Sequence, residues 1–141
     1  MTPETTFYNR LKRIFPKEWM LQRIETTTAV GVPDLNILVP KVGEFWMELK
    51  ACDKYTLLRP QQYAWITKRI TLGGIALVIN QNKNKEIELW HEPFNVIKRA
   101  DKSKYLTILD EPHKLYKKGD QKYLPIFLKN LLTGDHENES I

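Results

Sequence analysis

The segment from Gly31 to Ala51, with the sequence GVPDLNILVPKVGEFWMELKA, constrains the fold more than any other part of the chain. Two stretches rich in β-branched and aromatic residues flank a short turn at residues 41–43, which is the pattern of an antiparallel β-hairpin. Strand side chains alternate between the two faces of a sheet. The second strand therefore has an apolar face that must cover a hydrophobic core, and this face consists of Phe45, Met47 and Leu49.

The opposite face of the second strand carries Glu48 and Lys50 next to Trp46. Asp34 opens the first strand, and antiparallel pairing brings the start of that strand beside the end of the second. Two carboxylates in close contact favour a cation between them, and oxygen ligands suit Mg²⁺ or Mn²⁺. A lysine beside them can orient or deprotonate water, or stabilise a transition state, so the cluster fits phosphodiester hydrolysis. The alternative is that these residues are surface charges, because glutamate and lysine commonly decorate the exposed face of a sheet.

The rest of the chain has the pattern of an α/β protein with a central mixed β-sheet and flanking helices. The run IALVI, Ile75–Ile79, is uniformly apolar, as expected for a central strand that is buried on both faces. Proline in the first turn and glycine or proline after the last turn mark the helix ends. The other predicted elements are a helix from Thr2 to the residue before Pro16, a strand over 19–26, a helix from Arg59 to Gly73, a strand over 86–90, a helix over 92–100, a strand over 105–110 and a helix over 123–132.

The size and composition of the chain limit which classes of protein it can belong to. Its 141 residues correspond to one domain, which we place at residues 1–133, followed by a flexible acidic tail at 134–141. The single cysteine, Cys52, excludes an internal disulfide and cysteine-rich zinc sites, and the three histidines lie far apart in the sequence. No apolar run approaches the roughly 20 residues that cross a membrane, and no signal-peptide core is present. We therefore expect a cytoplasmic protein.

The charge balance favours a polyanionic partner. Lysine and arginine number 22 against 17 acidic residues, which gives a net charge of +5. Contacts between such residues and phosphates hold a nucleic-acid backbone without reading its sequence. The candidates for these contacts lie in the first helix and in the middle helix, and they are Arg10, Lys12, Arg13, Lys68 and Arg69.

These motifs together resemble the PD-(D/E)xK nuclease superfamily, and most closely its small stand-alone virus-type and Holliday junction resolvase-like members, the VRR-NUC group. The resemblance covers about residues 4–81 and rests on GVPDL, WMELKA, LRPQQYAW and GGIALVI. It implies a restriction-endonuclease-like core in which Asp34, Glu48 and the backbone carbonyl of Leu49 bind Mg²⁺ or Mn²⁺ and Lys50 is catalytic. It also implies that the protein acts inside a cell, and the protein can be encoded by a virus and act in a host cell.

The resemblance points to Gln62 as a further site residue, because the family often has a glutamine near the site in a Pro-x-Gln-x-x-Trp context. Helical spacing independently places Gln62 on the same face as Ile66 and Ile70, while Gln61 falls on the other side. The alternative for Gln62 is an ordinary glutamine on a helix surface.

A third carboxylate for the metal is either Glu4 or Glu25. Glu4 lies one turn before Tyr8 on the core-facing stripe of the first helix, from which its carboxylate can reach the site. Its alternative role is to complement the helix dipole in the first turn. Glu25 ends the short RIE strand, which shows no clear alternation of faces.

We accordingly expect a Mg²⁺-dependent endodeoxyribonuclease that acts on DNA, with branched or junction DNA as a structure-specific substrate. A homodimer or a larger homo-oligomer would supply more than one site. Two alternatives remain open at this point, a non-catalytic DNA-binding module on the same fold and a structural or assembly protein. A nuclease assay with metal distinguishes the enzyme from a non-catalytic DNA-binding module. Salt-dependent affinity for DNA distinguishes both of these from a structural or assembly protein.

Overall fold

The computed structural model describes residues 1–25, 31–99 and 104–134. The acidic tail predicted for 134–141 lies outside these residues except for Gly134. None of the helices in the described ranges has the length and apolar character needed to cross a membrane. The elements of the described residues are, in chain order, α1 Pro3–Ile14, β1 Met20–Arg23, β2 Leu35–Val39, β3 Gly43–Lys50, β4 Leu57–Leu58, α2 Pro60–Thr71, β5 Ala76–Gln81, β6 Ile87–Trp90, β7 Val96–Lys98, β8 Leu106–Ile108, β9 Lys114–Tyr116 and α3 Leu124–Thr133, with a 3₁₀ turn at Gln121–Tyr123.

The main sheet has six strands in the order β1-β2-β3-β5-β6-β9. Strands β3 and β5 are parallel, and the other neighbouring pairs are antiparallel. The predicted hairpin is confirmed, because β2 pairs with β3 in the register that sets Leu35 opposite Met47. The fold class predicted from the sequence, an α/β protein with a central mixed sheet and flanking helices, is also confirmed.

Both faces of the main sheet are covered. Helices α1 and α3 pack on one face, where Phe7, Leu11 and Leu128 join the apolar side of β3. Helix α2 covers the other face through the fully buried Ile66, together with residues of a small second sheet. All six residues of β5 are therefore buried, as the apolar run Ile75–Ile79 predicts for its first four residues, and the polar Asn80 and Gln81 at its end are buried as well.

Residues 92–100 contain the largest error in the sequence-based prediction. The predicted helix is absent from the described part of this segment, and Val96–Lys98 instead forms β7 in a three-stranded sheet of order β4-β8-β7. A helix of this length is marginal on its own in water. Pairing with β8 satisfies the backbone of β7, and the Asp110 carboxylate holds the preceding residue by accepting a hydrogen bond from the Asn95 N–H at 2.8 Å.

Helix ends follow the capping residues of the sequence. The Thr2 hydroxyl caps α1 by accepting from the Thr5 N–H at 3.1 Å, and Pro3 takes the first helical position. Pro60 begins α2 in the same way. Because α2 starts there, its first turn lies over the end of β3, which determines which side chains face the acidic residues of the hairpin.

Candidate active site

The carboxyl end of β3 is where the acidic residues of the hairpin meet. Glu48 and Lys50 lie near the end of this strand, with the Lys50 Nζ 3.6 Å from the Glu48 Oε2. Asp34 directly precedes β2, and its Oδ2 accepts a hydrogen bond from the Leu49 N–H at 2.9 Å. The antiparallel register therefore brings together three side chains that the sequence separates by up to sixteen positions.

Gln62 in the first turn of α2 completes this cluster. Its Nε2 donates to the Glu48 Oε2 at 3.0 Å, and its Oε1 accepts from the Lys50 Nζ at 3.3 Å. The same Oε1 accepts from the Arg59 backbone N–H at 2.8 Å, which ties the amide to the start of the helix. Gln62 thus holds the acid and the amine in one arrangement, and its polar atoms are directed at the site.

Burial decides between the two interpretations of the Glu-x-Lys pair. Glu48 is only 2% exposed, and the side chain of Lys50 is 12% exposed. The face of β3 that carries them lies under α2 and is not open to solvent. The interpretation of Glu48 and Lys50 as ordinary charges on an exposed sheet face is therefore wrong.

The environment of Glu48 strongly disfavours its charged form. Burial raises the pKa of Glu48 to about 9, and the neighbouring carboxylate of Asp34 adds to this shift, while Lys50 opposes it. A weaker contribution in the same direction comes from Glu4. The site therefore holds two carboxyl groups together in a buried setting that Lys50 only partly compensates.

The donor set at this site fits a small divalent cation. The Glu48 Oε1 is buried and has no hydrogen-bond partner among the described residues. Continuing the hairpin register two pairs beyond Leu35 and Met47 sets Pro33 opposite Leu49, and proline has no N–H to donate to the Leu49 carbonyl. Two carboxylates and a backbone carbonyl are oxygen ligands of the kind that Mg²⁺ and Mn²⁺ take. No group of three or more acidic, histidine or cysteine side chains within 1–25, 31–99 and 104–134 is arranged to hold a metal, so the carbonyl would be a necessary ligand.

The two candidates for a third carboxylate occupy different positions. Glu4 lies in the first turn of α1, near enough to Glu48 to raise its pKa. Glu25 is exposed and follows the end of β1. Of the two, Glu4 is therefore the one that lies near the site. The position of Glu4 in the first turn of α1 also suits the helix dipole.

Two residues near the site were missed in the sequence analysis. The first is Asn80, which lies on β5 beside Lys50 and is 1% exposed. Its Oδ1 accepts a hydrogen bond from the Cys52 N–H at 2.7 Å, and its Nδ2 donates to the Cys52 carbonyl at 2.9 Å. This pair of bonds holds the chain that leaves β3 directly after Lys50. An asparagine directly after the apolar run Ile75–Ile79 was the available signal, because a buried amide requires partners. The second is Arg59, whose backbone N–H orients Gln62.

The five predicted DNA-contacting residues lie in two separate regions. The Arg10 guanidinium is engaged by the Gln81 Oε1 at 2.5 Å, and the Lys12 Nζ lies 5.1 Å from the centre of the Tyr8 ring. Arg13 is exposed on the last turn of α1.

Lys68 and Arg69 lie in the last turn of α2, at the opposite end of that helix from Gln62. Arg69 is 3.7 Å from Glu44 in an ion pair, and its guanidinium lies 5.4 Å from the Trp65 ring centre. The structure thus does not bring these two residues to the acidic site, and their contact with DNA stays a prediction.

Gly31 lies where the chain passes the first turn of α2 on its way to Asp34. Its φ is +87°, and a Cβ at this position would lie 2.4 Å from the carbonyl oxygen of Gln61. A side chain here would have to push Asp34 and α2 apart. The glycine of the GVPD motif therefore has a steric role in addition to its conformational one.

The Gly31→Ala substitution should lower the free energy of unfolding by clearly more than Gly73→Ala. Gly73 is the matched control, since its φ is +92° and a Cβ there would meet nothing within 4 Å. The left-handed conformation alone costs an alanine about 1–2 kcal/mol, and at Gly31 the backbone clash adds to that cost. Urea unfolding of the two variants measures the difference. Equal losses of stability would show that the close approach to Gln61 is not rigid.

Comparisons with known proteins support the fold. No protein-family model matches the sequence, and no curated protein matches it. Among solved structures, a Holliday junction resolvase from the archaeal hyperthermophile Archaeoglobus fulgidus superposes with a TM-score of 0.52 at 14% sequence identity, and the match covers 76% of this chain and 84% of that one. This similarity confirms the restriction-endonuclease-like core expected from the sequence, and at this identity it concerns the fold alone.

Proposed function

We propose that this protein is a metal-dependent endonuclease that hydrolyses DNA phosphodiester bonds. The observation that carries the proposal is the buried Glu48 carboxyl group, which lies beside Asp34 and has one oxygen without a partner among the described residues. A purely structural glutamate in this place would leave a buried carboxyl oxygen without a partner, which costs free energy. A cation between the two carboxylates removes that cost, and strongly perturbed pKa values are typical of functional sites.

Each side chain of the site has a role in this proposal. Asp34 and Glu48, with the Leu49 carbonyl, would hold Mg²⁺ or Mn²⁺. When bound, the ion would neutralise phosphate oxygens and make water a better nucleophile. Lys50, held by Gln62 at 3.3 Å, would orient the attacking water or stabilise the charge that develops on the phosphate. Gln62 positions Lys50 and Glu48 relative to each other.

Branched DNA is the substrate that we propose, and this part rests on the shared fold. The Archaeoglobus fulgidus protein with the similar structure is a Holliday junction resolvase. A junction is cut in two strands, so we also propose that two copies of this chain act together as a homodimer or within a larger homo-oligomer. The basic surface of the protein, with a net charge of +5 for the whole chain, is consistent with a DNA partner.

Incubation with linear, flapped and four-way DNA tests the proposal, with Mg²⁺, Mn²⁺ or EDTA in parallel reactions. We expect cleavage with either metal, none with EDTA, and a preference for branched substrates. Cleavage of all shapes at one rate would support a nuclease while removing the structure-specific part. Binding without cleavage of any DNA under these conditions would favour the non-catalytic DNA-binding module instead.

Replacing Gln62 by alanine should lower the rate of cleavage by about ten-fold or more, the usual scale for a residue that orients a metal ligand. The physical reason is that Glu48 loses its amide donor and Lys50 loses its acceptor. Gln61→Ala is the matched control, because Gln61 is exposed and adjacent in the same helix. Single-turnover rates with saturating enzyme report the effect. Similar losses from the two substitutions would mean that Gln62 contributes only to the stability of the helix.

A further inference from the structure

An open basic cleft is formed by three distant parts of the chain. It is lined by side chains of α1, of the turn between β5 and β6, and of the segment that leads into α3. We call this feature the basic cleft, and its polar residues are Arg10, Arg13, Lys85, Lys118, Gln121 and Lys122. Five of these six residues carry a positive charge, and the sequence analysis had no means of grouping Lys85, Lys118 and Lys122 with α1.

Among the described residues, no carboxylate forms an ion pair with a cation of the basic cleft. Within the described part of the chain, the ion pairs join Lys50 with Glu48 and Arg69 with Glu44, and neither involves the cleft. Arg10 is held by neutral acceptors, namely the side-chain oxygens of Gln81 and Gln121 and the carbonyl of Lys85. Burial and the nearby charge of Arg13 lower the pKa of Arg10, which shows that the cations crowd one another. A cleft with this excess of positive charge is suited to bind an anion.

The turn between β5 and β6 is built to present Lys85 at the cleft. Lys85 has a φ of 63°, a conformation that favours glycine over lysine. The Asn82 side chain stabilises the turn by accepting from the Asn84 and Glu86 N–H groups at 3.0 and 3.1 Å. Arg10 then donates to the Lys85 carbonyl at 3.0 Å. We therefore regard Arg10 as a positioning residue that braces this turn, with the exposed cations left to contact a ligand.

The basic cleft lies at the same edge of the sheet as the carboxylate site. Strands β3 and β5 run in parallel, and Lys50 pairs with Asn80, the residue before Gln81, which contacts Arg10. Helix α1 spans the distance, since Glu4 lies near Glu48 and Arg13 follows nine residues later. At about 1.5 Å per residue this places Arg13 roughly 14 Å along the helix axis from Glu4. A DNA strand advances about 3.4 Å per nucleotide, so the separation corresponds to about four nucleotides.

We propose that the basic cleft binds the DNA backbone a few nucleotides away from the phosphate that is cut. This inference rests on the proposed function, and it assigns the phosphate contacts to Arg13, Lys85, Lys118 and Lys122. Lys68 and Arg69 then have no part in this contact, because they lie at the far end of α2. Binding of this kind is independent of base sequence and weakens steeply with salt.

The test is a pair of double charge reversals, Lys118→Glu with Lys122→Glu in the cleft and Lys41→Glu with Lys98→Glu as the matched control. All four lysines are exposed, and the two doubles change the net charge equally. Lys41 lies in the turn after β2 and Lys98 in β7, so both are outside the cleft. Fluorescence anisotropy of a labelled DNA duplex in EDTA measures affinity without cleavage, and a thermal melt of each variant checks that it is folded.

We expect the Lys118→Glu, Lys122→Glu variant to lower DNA affinity at low salt by about ten-fold or more. It should also reduce the slope of log K against log salt by about two, since each neutralised phosphate contributes roughly 0.9 to that slope. The control should keep the wild-type slope. Equal weakening by both doubles, or no weakening by the cleft double, would overturn the inference. If the wild type cuts no DNA but the cleft variant binds DNA more weakly, only the proposed function is refuted. If the wild type cuts DNA but the cleft variant binds DNA as tightly as the wild type, only this inference is refuted.

Discussion

Replacing Lys50 by alanine should abolish DNA cleavage, with a loss of about a thousand-fold or more, and should leave divalent-metal binding and DNA binding in place. In the proposed mechanism, the Lys50 ammonium would act on water or on the developing phosphate charge, whereas the carboxylates would hold the ion. Its removal also takes away a positive charge 3.6 Å from Glu48, which does not weaken the attraction for a cation. Cleavage rates, calorimetric titration with Mn²⁺ and anisotropy with labelled DNA measure the three properties separately.

The carboxylates should behave differently from the lysine. Asp34→Ala and Glu48→Ala should abolish cleavage and also weaken Mn²⁺ binding, since each variant removes one of the proposed carboxylate ligands. Lys54→Ala is the control for a lost lysine charge, because Lys54 is exposed on the segment that follows β3. If Lys50→Ala cuts DNA as fast as the wild type, the Glu-x-Lys strand is not catalytic and the proposed site is in the wrong place.

Glu48→Gln should make the metal-free protein more stable near pH 8 and should remove its stabilisation by Mg²⁺. Folding raises the pKa of Glu48 from 4.5 to about 9, so between these pH values the folded state binds a proton that the unfolded state has released. The contribution of Glu48 to stability is therefore largest below pH 4.5 and is lost as the pH rises toward 9. At pH 8 the loss in the wild type is on the order of a few kcal/mol, because each pH unit corresponds to about 1.4 kcal/mol.

Thermal melts at pH 6 and pH 8, with and without Mg²⁺, test this prediction. The wild type should lose stability between the two pH values in EDTA and regain it with Mg²⁺, because an ion that binds only the folded state stabilises it by mass action. Glu44→Gln is the matched control, since Glu44 lies on the same strand and its side chain is 49% exposed. A melting temperature of Glu48→Gln that still rises with Mg²⁺ as in the wild type would exclude Glu48 as a ligand.

Much of the site was predictable because its parts are local in the sequence. The hairpin register follows from a short turn and from the alternation of β3, and it brings Asp34 to Glu48 and Lys50 with no contribution from the rest of the fold. The helical period of α2, counted from Pro60, directs Gln62 toward the sheet. Burial on both faces of the first four residues of β5 follows from the apolar run Ile75–Ile79.

The sequence could not indicate how deeply the site is buried. An alternating Glu-x-Lys strand has the same pattern whether its polar face meets water or a helix, and only the packing of α2 on that face makes Glu48 2% exposed. The large shift in the pKa of Glu48 arises from this burial first and from Asp34 second. The choice of Glu4 over Glu25 likewise depends on where the start of α1 lies relative to β3.

Local signals determined the hairpin, the helix ends and the central strand, because caps, turns and side-chain periodicity are properties of neighbouring residues. The tertiary structure alone decided that Val96–Lys98 is a strand, that Arg10 braces the turn at Lys85, and that Lys118 and Lys122 join α1 in one cleft. These contacts join residues separated by up to 111 positions, as between Arg10 and Gln121. These contacts form only when the whole chain packs, so no short stretch of sequence can predict them.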